Sequence, residues 1–170
     1  LIPWAKQALP PNLKGGLPSC STIDAIAPMA LEAEGLSSNA EKWTQILLDQ
    51  SKCFDLINHE IARETCAAVT NTRGPFDALY RLNTQMQRFI KIGQNAASPV
   101  SVEQGLFQGD AMSVLVCNIL FGIRALRLGS KLPNTQIQGW LDDYSLLMSE
   151  VQPEHYRTLR KELDTFDRVS

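Results

Sequence analysis

The chain has 170 residues, of which 44% are hydrophobic. That is enough for one domain with a sizeable core and too apolar for a disordered chain. The formal net charge is −2 and the pI about 5.7, without the basic excess of a free-standing nucleic-acid binder, so any such binding must come from a local patch or from further sequence.

Leu9 to Ser19 carries three prolines and two glycines and is expected to be irregular. Ser21 and Asp24 have the spacing of a capping box, so a helix starts near Ser21, with Pro28 expected to kink or end it early. Gly35 to Asn39 reads as a loop. Trp43 to Leu48 reads as a short strand that ends buried, with Asp49 at its carboxyl end. Asn58 is placed to cap a helix running to about Val69, and Gly74-Pro75 opens another. Arg88 to Gly93 and Pro99 to Glu103 alternate polar and apolar residues, the pattern of a hairpin. Gly105 to Asp110 is a glycine-bearing loop. Ala111 to Leu128 is a long apolar helix that Gly129 is expected to stop. Its most apolar stretch, Val114 to Ile123, is interrupted by Asn118 and Gly122 and is too short to span a bilayer. A last helix starts at Pro153, with Tyr156, Leu159, Leu163 and Phe166 on one face as core. The order is an α+β pattern, one antiparallel sheet with helices on a face.

Cys20, Cys53, Cys66 and Cys117 form no Cys-x-x-Cys, and only His59 and His155 are available to join them. A zinc site is therefore disfavoured, and reduced thiols in an intracellular protein are expected. The chain opens Leu1-Ile2-Pro3-Trp4, without a signal-peptide pattern or an initiator Met, and is expected to be a piece of a longer protein.

The segment Gln138-Gly139-Trp140-Leu141-Asp142-Asp143-Tyr144-Ser145-Leu146 reads as two strands joined by a two-residue turn whose corners are both carboxylates. Two acids about 4 Å apart repel by roughly 4 kcal/mol at an effective dielectric of ~20. A divalent cation would remove that penalty, whereas a solvated turn would only dilute it. The pair taken by itself leaves both readings open.

Three segments in series decide between them. Leu47-Leu48-Asp49-Gln50-Ser51-Lys52-Cys53-Phe54-Asp55 comes first, then Gly105-Leu106-Phe107-Gln108-Gly109-Asp110-Ala111-Met112-Ser113, then Trp140-Leu141-Asp142-Asp143. Together they resemble motifs A, B and C of the reverse transcriptase palm, closest to the non-LTR retroelement and group II intron types. Gly16-Leu17-Pro18 with Ser21-Thr22-Ile23-Asp24 is similar to the family's segment before motif A. The departures are Val114 after Ser113 in place of proline, Trp140 in place of Tyr or Phe, Leu141, and Cys20 where the family often has Arg.

The resemblance implies a palm-type antiparallel sheet with helices on one face, the palm over residues 41–170 and a small fingers-base remnant over 1–40. It implies an RNA-directed DNA polymerase that transfers deoxynucleotides to a primer 3′-hydroxyl, with an RNA template, a DNA primer and a dNTP as partners and no membrane. Two magnesium ions, or manganese in their place, activate the hydroxyl and neutralise the leaving pyrophosphate. Asp49 and Asp142 would bridge the metals, with Asp143 close by as the weaker ligand. Phe54 would stand against the sugar and exclude a 2′-hydroxyl. Gln108 and Gly109 would contact the incoming nucleotide. Competing readings are a non-catalytic or RNA-binding remnant, an RNA-making polymerase and an unrelated two-metal hydrolase. Asp55, Asp110, Lys52 and His59 are expected to be structural or solvated.

Overall fold

The computed structural model describes residues 2–102, 104–149 and 151–167, with side chains placed for all of these except Ile2, Pro3, Lys6, Phe166 and Asp167. Among the described residues the order is α1 (Ile2–Ala8), α2 (Thr22–Ser38), β1 (Trp43–Asp49), α3 (His59–Thr70), α4 (Gly74–Gln85), β2 (Lys91–Ile92), β3 (Asn95–Ala96), α5 (Ala111–Lys131), β4 (Thr135–Trp140), β5 (Asp143–Ser149) and α6 (Pro153–Asp167). The chain forms two compact units, one from residues 1–51 and 117–169, the other from 52–116.

The first unit is built on an antiparallel sheet ordered β1-β5-β4. Side chains alternate across its strands, and the register sorts them by face. Leu48, Tyr144 and Gly139 align on one face, followed by Ile46, Leu146 and Ile137. This is the core face: Tyr144, Leu146 and Met148 are buried, and the Phe121 ring of α5 meets Tyr144 edge-on at 5.8 Å. The opposite face carries Asp49, Asp143 and Trp140, then Leu47, Ser145 and Gln138. β1 ends on this open side, with Leu47 75% exposed; the strand does not end buried, because its last alternate residues belong to the face away from α5.

Two helix breakers are overridden. Ser21 opens α2 as expected, its backbone N–H donating to Asp24 at 2.6 Å and its hydroxyl at 2.9 Å. Pro28 then lies inside the helix, which runs on through Gly35 to Ser38. The carbonyl that Pro28 leaves unbonded belongs to exposed Asp24, within reach of water, while buried Ala25 and Met29 hold the helix to the fold. Gly129 likewise does not stop α5. The helix runs on to Lys131, with buried Leu128 and Leu132 on either side of Gly129 holding its end to the core. α5 is long and apolar enough to cross a membrane by length and composition, but Cys117, Ile119, Phe121, Ala125 and Leu128 are buried inside the protein, so those apolar residues serve as core.

In α6 only part of the expected stripe is core. Leu159 is buried, Leu163 is half-buried and Tyr156 is 47% exposed; the Phe166 side chain lies outside the described residues. The helix is tied to α5 by the Arg127–Glu162 ion pair. α1 has no counterpart among the expected elements, because its seven residues are too few to show a helical period.

In the second unit Asn58 caps α3, accepting from the backbone of Glu60 at 3.0 Å and Ile61 at 3.1 Å. The hairpin is shorter than its alternation implied: Lys91-Ile92 pairs with Asn95-Ala96, and a single bridge joins Arg88 to Val100. Glu103, at the end of the expected strand, lies outside the described residues. Burial pushes the Cys66 thiol up to about 12, which makes it inert as a nucleophile at neutral pH.

Leu146 is fully buried at the middle of the central strand. Leu146→Ala is expected to cost about 2–5 kcal/mol through the cavity it leaves, read from the midpoint of a urea unfolding curve.

Candidate active site

Asp49 is the last residue of β1 and Asp143 the first of β5, and the ladder pairs them directly. Residues opposite each other in an antiparallel pair have Cα atoms about 4.5–5.5 Å apart, so the early acid and the later pair meet at one end of the open face. The turn differs from expectation by one residue. Trp140 pairs with Asp143, so the two corner residues are Leu141 and Asp142, and Asp143 belongs to the strand. The cross-strand partner that Asp143 finds in Asp49 extends β5 back to it. Asp142 is half-buried, while Asp49 and Asp143 are exposed.

The three acids interact electrostatically. The carboxyl of Asp143 is held above the usual carboxylate range, first by partial burial, then by the charge of Asp142 and then by that of Asp49. Among the described residues no three His, Cys, Asp or Glu side chains are gathered tightly enough to hold one ion between them. The donor set is nonetheless all oxygen and anionic. Magnesium takes one or two carboxylates and keeps its waters, so the chemistry of these residues fits it without a three-ligand cage.

The turn is under strain that the N-terminal segment restrains. Leu141 has φ +57°, a left-handed conformation that costs a non-glycine residue about 1–3 kcal/mol. Asn12 to Gly15 runs along the free edge of β4. The Lys14 N–H donates to the Gly139 carbonyl at 3.0 Å, the Gly139 N–H to Asn12 at 2.9 Å, and the Asn12 amide to the Ile137 carbonyl at 2.6 Å. Gly15 then lies against the turn: a Cβ there would stand 2.9 Å from the Trp140 carbonyl carbon and closer still to the Leu141 amide. Buried Asn118 of α5 holds Gly15 in place, its amide donating to the Gly15 carbonyl at 2.8 Å.

Arg124 supports the same end of the sheet from the core side. It is 7% exposed, and its Nη1 donates to Gln50 Oε1 at 2.7 Å while the guanidinium lies 5.8 Å from the Tyr144 ring. Gln50 follows Asp49 and Tyr144 follows Asp143, so one side chain touches a neighbour of each acid. The open face and α2 also border a cleft of about 670 Å³, lined by Ala25, Met29, Leu47 and Trp140 together with Asp49 and Asp143. That lies within the ~300–1,000 Å³ typical of small-molecule sites.

Phe54, Gln108 and Gly109 fall in the second unit, where backbone bonds cross-link their two segments. The Leu106 N–H donates to the Phe54 carbonyl at 2.6 Å and the Gly105 N–H to the Ile57 carbonyl at 2.8 Å. Gly105 has φ +93°, and a Cβ there would lie 2.7 Å from the Asp55 carbonyl oxygen, so geometry and space both require glycine. The Gln108 amide donates to Asp55 Oδ1 at 3.2 Å. Phe54 is half-buried and Gly109 exposed. Asp110 sits just before α5 and accepts from the Ser113 backbone at 3.2 Å. His59, at the start of α3, is buried with Nε2 2.6 Å from the Gly105 carbonyl.

A three-stranded antiparallel sheet with a paired acid at the tip of its hairpin, and helices over the opposite face, is the palm-type fold of polymerases that read a nucleic-acid template. The family model described as reverse transcriptase (RNA-dependent DNA polymerase) matches residues 2–169, and the chain belongs to that family. Among solved structures it resembles apo telomerase from Candida tropicalis truncated of its C-terminal domain (TM-score 0.65, 15% identity, 91% of this chain and 32% of that one). It is also similar to telomerase from the same organism in complex with a fragment of telomeric RNA (0.65, 14%, 91% and 27%) and to the corresponding complex from Candida albicans (0.62, 12%, 85% and 27%). The chain thus spans about a third or less of those telomerase chains. No curated protein sequence matches it.

Because the folded-state value of Asp143 is raised, its contribution favours folding below the ordinary carboxylate range and is lost as pH rises through the raised value. Asp143→Asn is therefore expected to raise Tm by about 1–2 °C at pH 7, a gain kept small by solvent screening, and to leave it unchanged at pH 3. Equal melting temperatures at both pH values would contradict the repulsion. At the turn, Gly15→Ala should cost about 1–3 kcal/mol by overpacking, measured by chemical denaturation.

Proposed function

We propose that this chain is the catalytic core of an RNA-directed DNA polymerase, adding deoxynucleotides to a primer 3′-hydroxyl. The observation that carries the reading is the direct cross-strand pairing of Asp49 with Asp143, one residue from Asp142. Repulsion between acids held on a rigid sheet is tolerated where the site is built to concentrate positive charge. Two divalent ions, when bound, activate the primer hydroxyl and neutralise the departing pyrophosphate.

In this reading Asp49 and Asp142 are the principal metal ligands and Asp143 supports them. Arg124 and Gly15 keep the strand end and the turn in register. Phe54 presents its ring to the sugar and selects deoxyribonucleotides by excluding a 2′-hydroxyl. Gln108 exchanges its bond to Asp55 for one to the incoming nucleotide, and Gly109 lets the backbone approach it. Residues 41–170 make up the palm and 1–40 part of the fingers base, with the affinity to non-LTR and group II intron enzymes resting on the motifs alone.

Primer extension on an RNA template with magnesium or manganese tests the proposal, using the 170 residues and a longer form carrying flanking sequence. Asp142→Asn should lower extension at least about 100-fold with an unchanged circular dichroism spectrum. Phe54→Ala should admit ribonucleotides. Normal extension by Asp142→Asn would remove the site assignment, and metal-dependent cleavage without added nucleotides would replace the polymerase with a hydrolase.

A further inference from the structure

The second unit holds a set of polar atoms that the polymerase reading does not use. His59, Arg63 and Asn83 line one small cavity together with Phe76, Leu79 and Leu106. The space there open to a water molecule is about 10 Å³, close to the ~10–15 Å³ that one water needs. His59 is 4% exposed and Asn83 1%. His59 Nδ1, Asn83 Oδ1 and Arg63 Nε are all buried, with no hydrogen-bond partner among the described residues.

Their hydrogen-bonding roles are fixed by what the rest of each side chain does. A carbonyl oxygen can only accept, so His59 Nε2, 2.6 Å from the Gly105 carbonyl, carries the proton and donates. In the tautomer that carries its proton on Nε2, Nδ1 is an acceptor. The Asn83 Nδ2 donates to the Leu79 carbonyl at 2.9 Å, which orients the amide and leaves Oδ1 as a second acceptor. Arg63 gives Nη2 to Glu64 at 2.6 Å, but its Nε lies 3.8 Å from Asp77 Oδ1, too far for a hydrogen bond. Nε–H is therefore a donor.

The residues that line the cavity thus carry two acceptors and one donor left without a partner among the described residues. A cation would face the Arg63 guanidinium, and an anion would face two acceptors. Only a small ligand that donates twice and accepts once satisfies all three atoms. The geometry points to a single structural water, donating to His59 Nδ1 and Asn83 Oδ1 and accepting from Arg63 Nε. Bound there, it ties the first two turns of α3 to the end of α4. Through His59 it also steadies the Gly105 carbonyl, at the root of the loop that carries Gln108 and Gly109.

The test is a water–protein NOE experiment on the 170-residue protein labelled with nitrogen-15. Cross-peaks from the His59 ring and the Asn83 amide to a long-lived water are expected, with one bare and one protonated ring nitrogen on His59. Asn83→Leu should abolish the cross-peaks while the helical circular dichroism signal persists. Should that variant fail to fold, a wild-type crystal structure at about 1.2 Å with a water within hydrogen-bond reach of all three atoms serves the same purpose. A dry cavity, a His59 ring protonated on both nitrogens, or a direct bond between His59 and Asn83 would overturn the proposal.

Discussion

The pairing of β1 with β5 sets two carboxylates directly opposite each other, an arrangement that costs free energy in a sheet. What holds them there is the apolar register behind them. A slip of one residue would turn Asp49 onto the face that packs against α5 and throw Leu48 and Ile46 onto the open face. The pairs of half-buried Ile46 with buried Leu146 and of half-buried Leu48 with buried Tyr144 therefore fix the position of the acids, although none of these four residues bears on chemistry. Stability and function are divided between the two faces of the same strands.

The turn extends that division. Asp142 owes its place to Leu141, whose left-handed backbone is unfavourable in isolation. The compensation comes from residues far away in sequence: Gly15, which alone leaves room for the turn, and Asn118, which anchors the Gly15 carbonyl. Arg124 completes the support from the core side through Gln50 and Tyr144. The first residues of the chain are in this sense part of the candidate site.

This explains which features the sequence made legible. Local signals were readable where one segment determines the outcome: the Ser21–Asp24 cap, the Asn58 cap, the strand ending at Asp49 and the helix opening at Pro153. The adjacent acids stood out as a turn, and the resemblance to the reverse transcriptase motifs linked them to Asp49, which the ladder pairs with Asp143. At Pro28 and Gly129 tertiary packing outweighs local preference, α2 being held through buried Ala25 and Met29 and the end of α5 through buried Leu128 and Leu132. The turn was placed one residue late because nothing local reveals that Asp143 has a strand partner almost a hundred positions earlier. Asn118 and Arg124 left a trace, as polar side chains within an apolar helix, but their partners Gly15 and Gln50 are visible only once the chain has folded.

The second unit repeats this logic with backbone in place of side chains. Phe54 and Gln108 lie far apart in sequence, yet the Leu106–Phe54 and Gly105–Ile57 bonds stitch their segments together, and Gly105 is the residue that permits so close an approach to Asp55. Backbone bonds of this kind fix the position of a loop without constraining the side chains it displays. Neither the Phe54 nor the Gln108 side chain takes part in those backbone bonds, so substitutions there leave them in place. The acids of the sheet have no such freedom, because there the side chains themselves form the arrangement.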